Sequence, residues 1–210
     1  MHDLILFDLD GTISDPLEGI SRSINYALIQ LGYEARPIAD LAQYVGPPLD
    51  ETFKAITGND ADSAALVTKY RERYGEIGYS ENILYPGIAH TLLELNAAHI
   101  PMAICTSKRK DFATRILKMF GLIDYFKFIS GGDSGIHKFE QITSLLSQGQ
   151  VSQSTVMIGD RAIDMIAAHK NGLTAGGVLW GYGSETELLN EKPLYLFQSP
   201  SEIVQLVHPG

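Results

Sequence analysis

The stretch Leu4-Ile5-Leu6-Phe7-Asp8-Leu9-Asp10-Gly11-Thr12 decides the fold. A short unbroken apolar run of this kind suits a strand buried on both faces, and here it ends in two carboxylates and a glycine. The carboxyl end of such a strand is where ligands bind in open α/β sheets. Strand alternation turns Asp8 and Asp10 to the same side if the extended geometry persists, and Gly11 lets the backbone turn so that its amides face a phosphate. An Asx turn that merely ends a strand is the competing use of the same residues.

Working outward, the same arrangement recurs. Candidate strands are Leu4 to Phe7, Met102 to Cys105, Phe126 to Ile129, Thr155 to Ile158 and Ala175 to Leu179, with helical patterns between them. One such helix is Asp111 to Phe120, closed by Gly121 and apolar at Phe112, Ile116, Met119 and Phe120. Strands alternating with helices imply an α/β fold: a Rossmann-like parallel sheet with helices on both faces. The interval 15–84 breaks the alternation, since it holds several helical patterns and no convincing strand. It reads as an inserted helical domain, leaving 1–14 and 85–210 as the α/β core. Its first helix carries one apolar stripe, Leu17, Ile20, Ile24, Ala27, Leu28 and Leu31, with Pro16 suited to the first turn and Gly32 just past the end.

Composition narrows the function. The chain has 210 residues, 45% hydrophobic and 20% charged, as expected of a folded domain with a substantial core. A formal charge of −9 argues against a nucleic acid polymer or an anionic membrane surface as partner. A small anionic substrate stays compatible, because a metal ion reverses the field inside a pocket. The N-terminal apolar run is too short for a signal peptide, and no run approaches the ~20 residues of a membrane span, so a cytoplasmic location is expected. Cys105 is the single cysteine, which excludes an internal disulfide and a cysteine metal cluster. Nothing in the chain signals an oligomeric state.

Three further stretches carry chemistry. Thr106-Ser107-Lys108 follows the second core strand, where a hydroxyl and the next amides can bond a phosphate oxygen, or can simply cap the next helix. Lys138 opens a helical pattern after the Gly-rich loop Ser130 to Gly135. Gly159-Asp160-Arg161-Ala162-Ile163-Asp164 again follows an apolar strand, and on a helix its two aspartates, four apart, share a face. Oxygen ligands beside a phosphate suit Mg²⁺. In the insert, Tyr44-Val45-Gly46-Pro47-Pro48 is a loop stiffened by two prolines, with a glycine that admits close approach of a ligand. Tyr44 and Gly46 are its candidates for substrate selectivity.

Together and in this order the four core signals resemble the four motifs of the haloacid dehalogenase superfamily of hydrolases, over Leu4 through about Trp180. The insert is similar to that family's C1 cap. Asp15-Pro16-Leu17-Glu18-Gly19-Ile20 and Val45-Gly46-Pro47-Pro48-Leu49 are similar to phosphoglycolate phosphatase-like members. The resemblance implies an Mg²⁺-dependent phosphatase for a small phosphorylated metabolite, with Asp8 as nucleophile and Asp10 as general acid/base. It further implies that Asp8, the Asp10 carbonyl and Asp160 hold the metal with Asp164 in support, and that Thr106 and Lys138 hold the phosphoryl group. One departure is Lys138-Phe139-Glu140, where many phosphoglycolate phosphatases have proline after the lysine. A nucleotide 5′-phosphatase is therefore the alternative substrate class. From other classes come a catalytically weak regulator that binds a phosphometabolite and a phospho-receiver; the acceptor position and the insert speak against the receiver.

Overall fold

The computed structural model describes residues 2–132 and 136–206. From the N-terminus come β1 (Leu4–Phe7), a two-residue strand β2 (Ser14–Asp15) and four helices, α1 (Leu17–Gln30), α2 (Ile38–Leu41), α3 (Leu49–Thr57) and α4 (Ser63–Glu76). The chain returns through β3 (Ile83–Leu84), α5 (Ile88–Ala97), β4 (Met102–Thr106), α6 (Lys110–Met119) and β5 (Phe126–Gly131). It ends with α7 (Lys138–Ser147), β6 (Thr155–Gly159), α8 (Ala162–Lys170), β7 (Thr174–Val178), α9 (Glu185–Asn190) and β8 (Tyr195–Phe197).

Six strands form one sheet in the order β5-β4-β1-β6-β7-β8, and every neighbouring pair is parallel. The apolar run of β1 is explained by this central place. Ile5 and Phe7 face one core layer with Leu92 of α5 and Ile116 of α6, while Leu4 and Leu6 face the other with Ile142 of α7 and Met165 of α8. The five expected strands are present, the first with the expected bounds and the other four with ends shifted by one or two residues. β8 was not legible: it is a three-residue edge strand, too short to show a pattern. In α6, Phe112 and Ile116 are buried as expected, but Met119 is 41% exposed. It sits in the last turn at the rim of a stripe that Ala113 and Leu117 complete instead.

Helices α1, α3 and α4 enclose a separate apolar cluster that includes Ile24, Leu28, Phe53, Leu66 and Tyr70, and Phe112 of α6 joins it from the sheet side. Of the α1 stripe, Ile20, Ile24, Ala27 and Leu28 are buried, and Leu17 and Leu31 at the helix ends are half-buried. The expectation of no strand within 15–84 needs correction. Ser14 pairs with Leu84 and Asp15 with Ile83, so β2 and β3 make an antiparallel ribbon where the chain enters and leaves this helical segment. Two residues per strand are too few for period-two alternation to register. Of the loop Ser130 to Gly135, positions 133–135 lie outside the described residues.

Candidate active site

Strands β4, β1 and β6 lie side by side, with Phe7 level with Ile104 on one side and Ile158 on the other. The residues that follow these strands therefore emerge together at one sheet edge. Asp8, still hydrogen-bonded through its amide to the Ile158 carbonyl at 2.8 Å, stands beside Asp160. Asp164, in the first turn of α8, turns back and accepts the Arg161 amide at 3.1 Å. One carboxylate oxygen from each of Asp8, Asp160 and Asp164 falls within 4.8 Å of the others, and all three side chains are buried. Asp160 is further fixed by the Tyr182 amide, which donates to Oδ2 at 2.8 Å, and by the Thr12 hydroxyl at 3.4 Å from Oδ1. Gly11 is required here for two reasons: its φ is +84°, and a β-carbon on it would stand 2.1 Å from Asp160 Oδ2.

Lys138 begins α7 and is 1% exposed. Its ammonium lies 3.0 Å from Asp8 Oδ1 and makes a short ion pair with Asp164. Burial and the charges of Asp164 and Asp8 hold the Asp160 carboxyl well above the usual carboxylate range. Burial likewise pushes Asp164 up to about 6 against the pull of Lys138. Burial alone would discharge Lys138, but Asp164 and Asp8 outweigh it and raise its pKa. Three buried acids thus share one ammonium, so when all are ionised their charge exceeds what Lys138 offsets, and either protons or a bound cation make up the difference. Their donors are all oxygen, with no histidine or cysteine among them, and this set fits a hard divalent cation such as Mg²⁺. The carboxylate of Asp10 is not in this group; the sequence expectation concerned its carbonyl.

Asp10 instead faces a cleft between the sheet edge and the helical insert. The Lys108 ammonium lies 2.8 Å from its Oδ2, while Oδ1 is buried and accepts no hydrogen bond. Burial raises the Asp10 carboxyl above its ordinary value, with Lys108 opposing. From the sheet side Asp8, Asp10, Thr106, Ser107 and Lys108 line the cleft; from the insert come Tyr44 and Gly46, among others. Thr106 is held in place by its carbonyl, which accepts the Gly132 amide at 2.8 Å, and its hydroxyl accepts the Lys108 amide at 3.2 Å. Gly46 has φ +108°. Lys138, Gly11, Asp160 and Asp164 stand behind Asp8 and are not among the cleft-lining residues.

Sequence reasoning missed several neighbours. Tyr74 of α4 accepts a hydrogen bond from Lys108 at 2.6 Å, and its only sequence signal is the four-residue spacing from Tyr70. Arg161 donates to the Val45 carbonyl at 2.9 Å and pairs with Glu187 at 2.9 Å, so a residue beside the acid cluster braces the Tyr44 to Pro48 loop. Tyr182 bonds Asp160 through its amide and Asp15, in strand β2 of the ribbon, through its hydroxyl.

Comparison with known proteins shows what the whole chain is similar to. A family model described as haloacid dehalogenase-like hydrolase matches residues 5–178. A 5′-nucleotidase of Pseudomonas aeruginosa is 40% identical over 91% of this chain and 89% of its own length. A phosphoglycolate phosphatase of Vibrio parahaemolyticus is 31% identical, over 97% of this chain and 95% of its own. Among solved structures, one described as a predicted phosphatase from Clostridium acetobutylicum superposes with a TM-score of 0.93 at 31% identity, covering 100% of both chains.

Proposed function

This chain belongs to the haloacid dehalogenase-like hydrolases, and from that premise we propose that it is an Mg²⁺-dependent phosphatase that hydrolyses a small phosphomonoester through an aspartyl phosphate on Asp8. The observation that carries the reading is Asp8 itself. It is a buried carboxylate that lines a cleft on one side and is backed by Lys138, Asp160 and Asp164 on the other. Asp8, the Asp10 carbonyl and Asp160 would hold Mg²⁺, with Asp164 in support, and the bound ion would supply positive charge that offsets the phosphoryl oxygens.

In the first half-reaction an Asp8 oxygen attacks phosphorus, the bond from phosphorus to the leaving oxygen breaks, and protonated Asp10 gives its proton to that oxygen. In the second, water attacks phosphorus and passes a proton to the Asp10 carboxylate. The bond between phosphorus and Asp8 then breaks, which frees inorganic phosphate and restores both side chains. Burial of Asp10 supports its acid role, because burial favours the protonated form. Thr106 and Ser107 bind phosphoryl oxygens, and Lys138 offsets their charge; the Gly11 amide, expected to join them, is instead taken up by the Ser14 carbonyl at 2.9 Å, so Gly11 serves by its turn and its lack of a β-carbon.

Residues 15–84 act as a cap that selects the leaving group. Its share of the cleft includes Ile20, Tyr44, Pro48, Leu49 and Tyr70, a largely apolar and aromatic wall, with Arg71 beside them. The aromatic part of this wall suits a planar nucleoside, which glycolate lacks, and the 40% identity to a 5′-nucleotidase supports the same substrate class. A phosphate-release screen with Mg²⁺, spanning nucleoside 5′-monophosphates, phosphoglycolate and sugar phosphates, is expected to rank a nucleotide first. Asp8→Asn, nearly isosteric, should lower turnover by ~10³-fold or more without unfolding the chain. Near wild-type turnover in that variant would sink the mechanism. Absence of phosphate release from every ester would leave a binding regulator in its place.

A further inference from the structure

We infer that Lys108, held by Tyr74 of the insert, is the positioning residue that aims Asp10 at the leaving group, so that proton transfer depends on α4 lying against the sheet edge. The inference rests on the phosphatase reading above and adds to it a residue and a coupling between the two parts of the chain.

Three observations support it. First, the Lys108 side chain is only 6% exposed, and its ammonium bridges Asp10 Oδ2 at 2.8 Å and the Tyr74 hydroxyl at 2.6 Å. A long flexible side chain withdrawn from water in this way loses rotamer freedom and hydration, and it needs both partners to stay. Second, tying down Oδ2 removes the rotation that would exchange the two carboxyl oxygens. Oδ1 is buried and accepts no hydrogen bond among the described residues, so the contact of Oδ2 with Lys108 is what sets the orientation of the carboxyl group. Third, Tyr74 cannot swing away alone. Its ring stacks on Tyr70 with centroids 5.2 Å apart and meets Phe112 edge-on at 5.1 Å. Its hydroxyl is therefore placed by the seating of α4 on the Phe112 side of α6. When the insert lifts, Lys108 loses one of its two anchors and Asp10 loses its fixed orientation.

Leaving-group chemistry separates this role from a merely structural one. An aryl phosphate expels a stable phenolate and needs little protonation, whereas an alkyl phosphate needs the proton. The experiment is single-turnover release of the leaving group by the full chain with Mg²⁺, from p-nitrophenyl phosphate and from a simple alkyl phosphate. Only the first half-reaction is read, since water activation by Asp10 affects every substrate in the second. Lys108→Met should slow alkyl release by about 100-fold, at the low end of what general acid catalysis contributes, and aryl release far less. Tyr74→Phe keeps the ring packing and carries the test even where the methionine variant fails to fold. It should slow alkyl release by roughly three- to tenfold, the worth of one hydrogen bond, with the same sparing of the aryl ester. Combined with Asp10→Asn, neither substitution should slow alkyl release further, because both act through Asp10. Equal losses for the two esters, or additive losses on the Asp10→Asn background, would overturn the inference and make Lys108 a substrate-binding or packing residue. If the unaltered chain releases neither leaving group, the phosphatase reading itself falls; release by that chain with unselective variants sinks this inference alone.

Discussion

At Gly11 a β-carbon has nowhere to go, and the reason is Asp160 rather than the turn alone. The pair shows how closely the carboxylates are packed: the turn after β1 presses its backbone against a side chain that follows β6. Gly11→Ala should therefore do two things at once. Backbone strain at positive φ costs on the order of 1–3 kcal/mol, read as a lower melting temperature. Displacement of Asp160 should raise the Mg²⁺ concentration needed for half-maximal activity. A variant that melts early yet titrates with Mg²⁺ as before would show that Asp160 is not a ligand. Residues of this kind were legible because glycine and aspartate after an apolar run have few bland uses. Lys108 was written in the same tripeptide as Thr106 but gave no signal, since a lysine in a loop is ordinarily solvated.

Between the elements, the Tyr44 to Pro48 loop joins α2 to α3 and lies over the cleft, with Arg161 holding its Val45 carbonyl from the sheet side. The loop lines the cleft from the insert, while Asp8 lines it from the sheet edge. Substituting Tyr44 by Ala, or Gly46 by a residue that resists φ +108°, should reorder the preference among nucleotides, sugar phosphates and phosphoglycolate. Hydrolysis of a small aryl phosphate, which draws less on remote binding, should change little. A uniform loss across all substrates would make the loop a support for closure and remove its selective role. The same scale exposes what the sequence hid: the β2–β3 ribbon and the edge strand β8 are too short to carry a periodic pattern.

For the whole molecule, the acid cluster sets how stability depends on pH and metal. Asp164 is raised from an ordinary value of 3.8 to about 6 by burial, so between those values the folded chain holds more protons than the unfolded one. Stability is then greatest near and below the lower value and is lost as pH rises through the upper, the sign opposite to that of a salt-bridged carboxylate. Asp160, raised by burial and by its acidic neighbours, acts in the same direction. In the presence of a chelator the melting temperature should fall between about pH 4 and about pH 7, and excess Mg²⁺ should raise it more at the higher pH than at the lower. Equal Mg²⁺ stabilisation at both would show that the metal does not bind where the carboxyls are raised.

The sequence by itself determined the sheet, because each central strand is a short apolar run that fits only a layer buried on both faces, and it marked the polar residues at the strand ends. What only the tertiary structure decided is how those residues divide their labour. Asp8 and Asp10 differ by two positions on one strand end, yet Asp8 joins Asp160, Asp164 and Lys138, while Asp10 turns to Lys108 and through it to Tyr74. Spacing fixes which side of a strand a residue leaves from, but the partner it meets depends on which strand lies alongside and on how the insert is seated. Those contacts join residues 34 to 156 positions apart in the chain, such as Tyr74 with Lys108 and Asp8 with Asp164, and no local pattern encodes them.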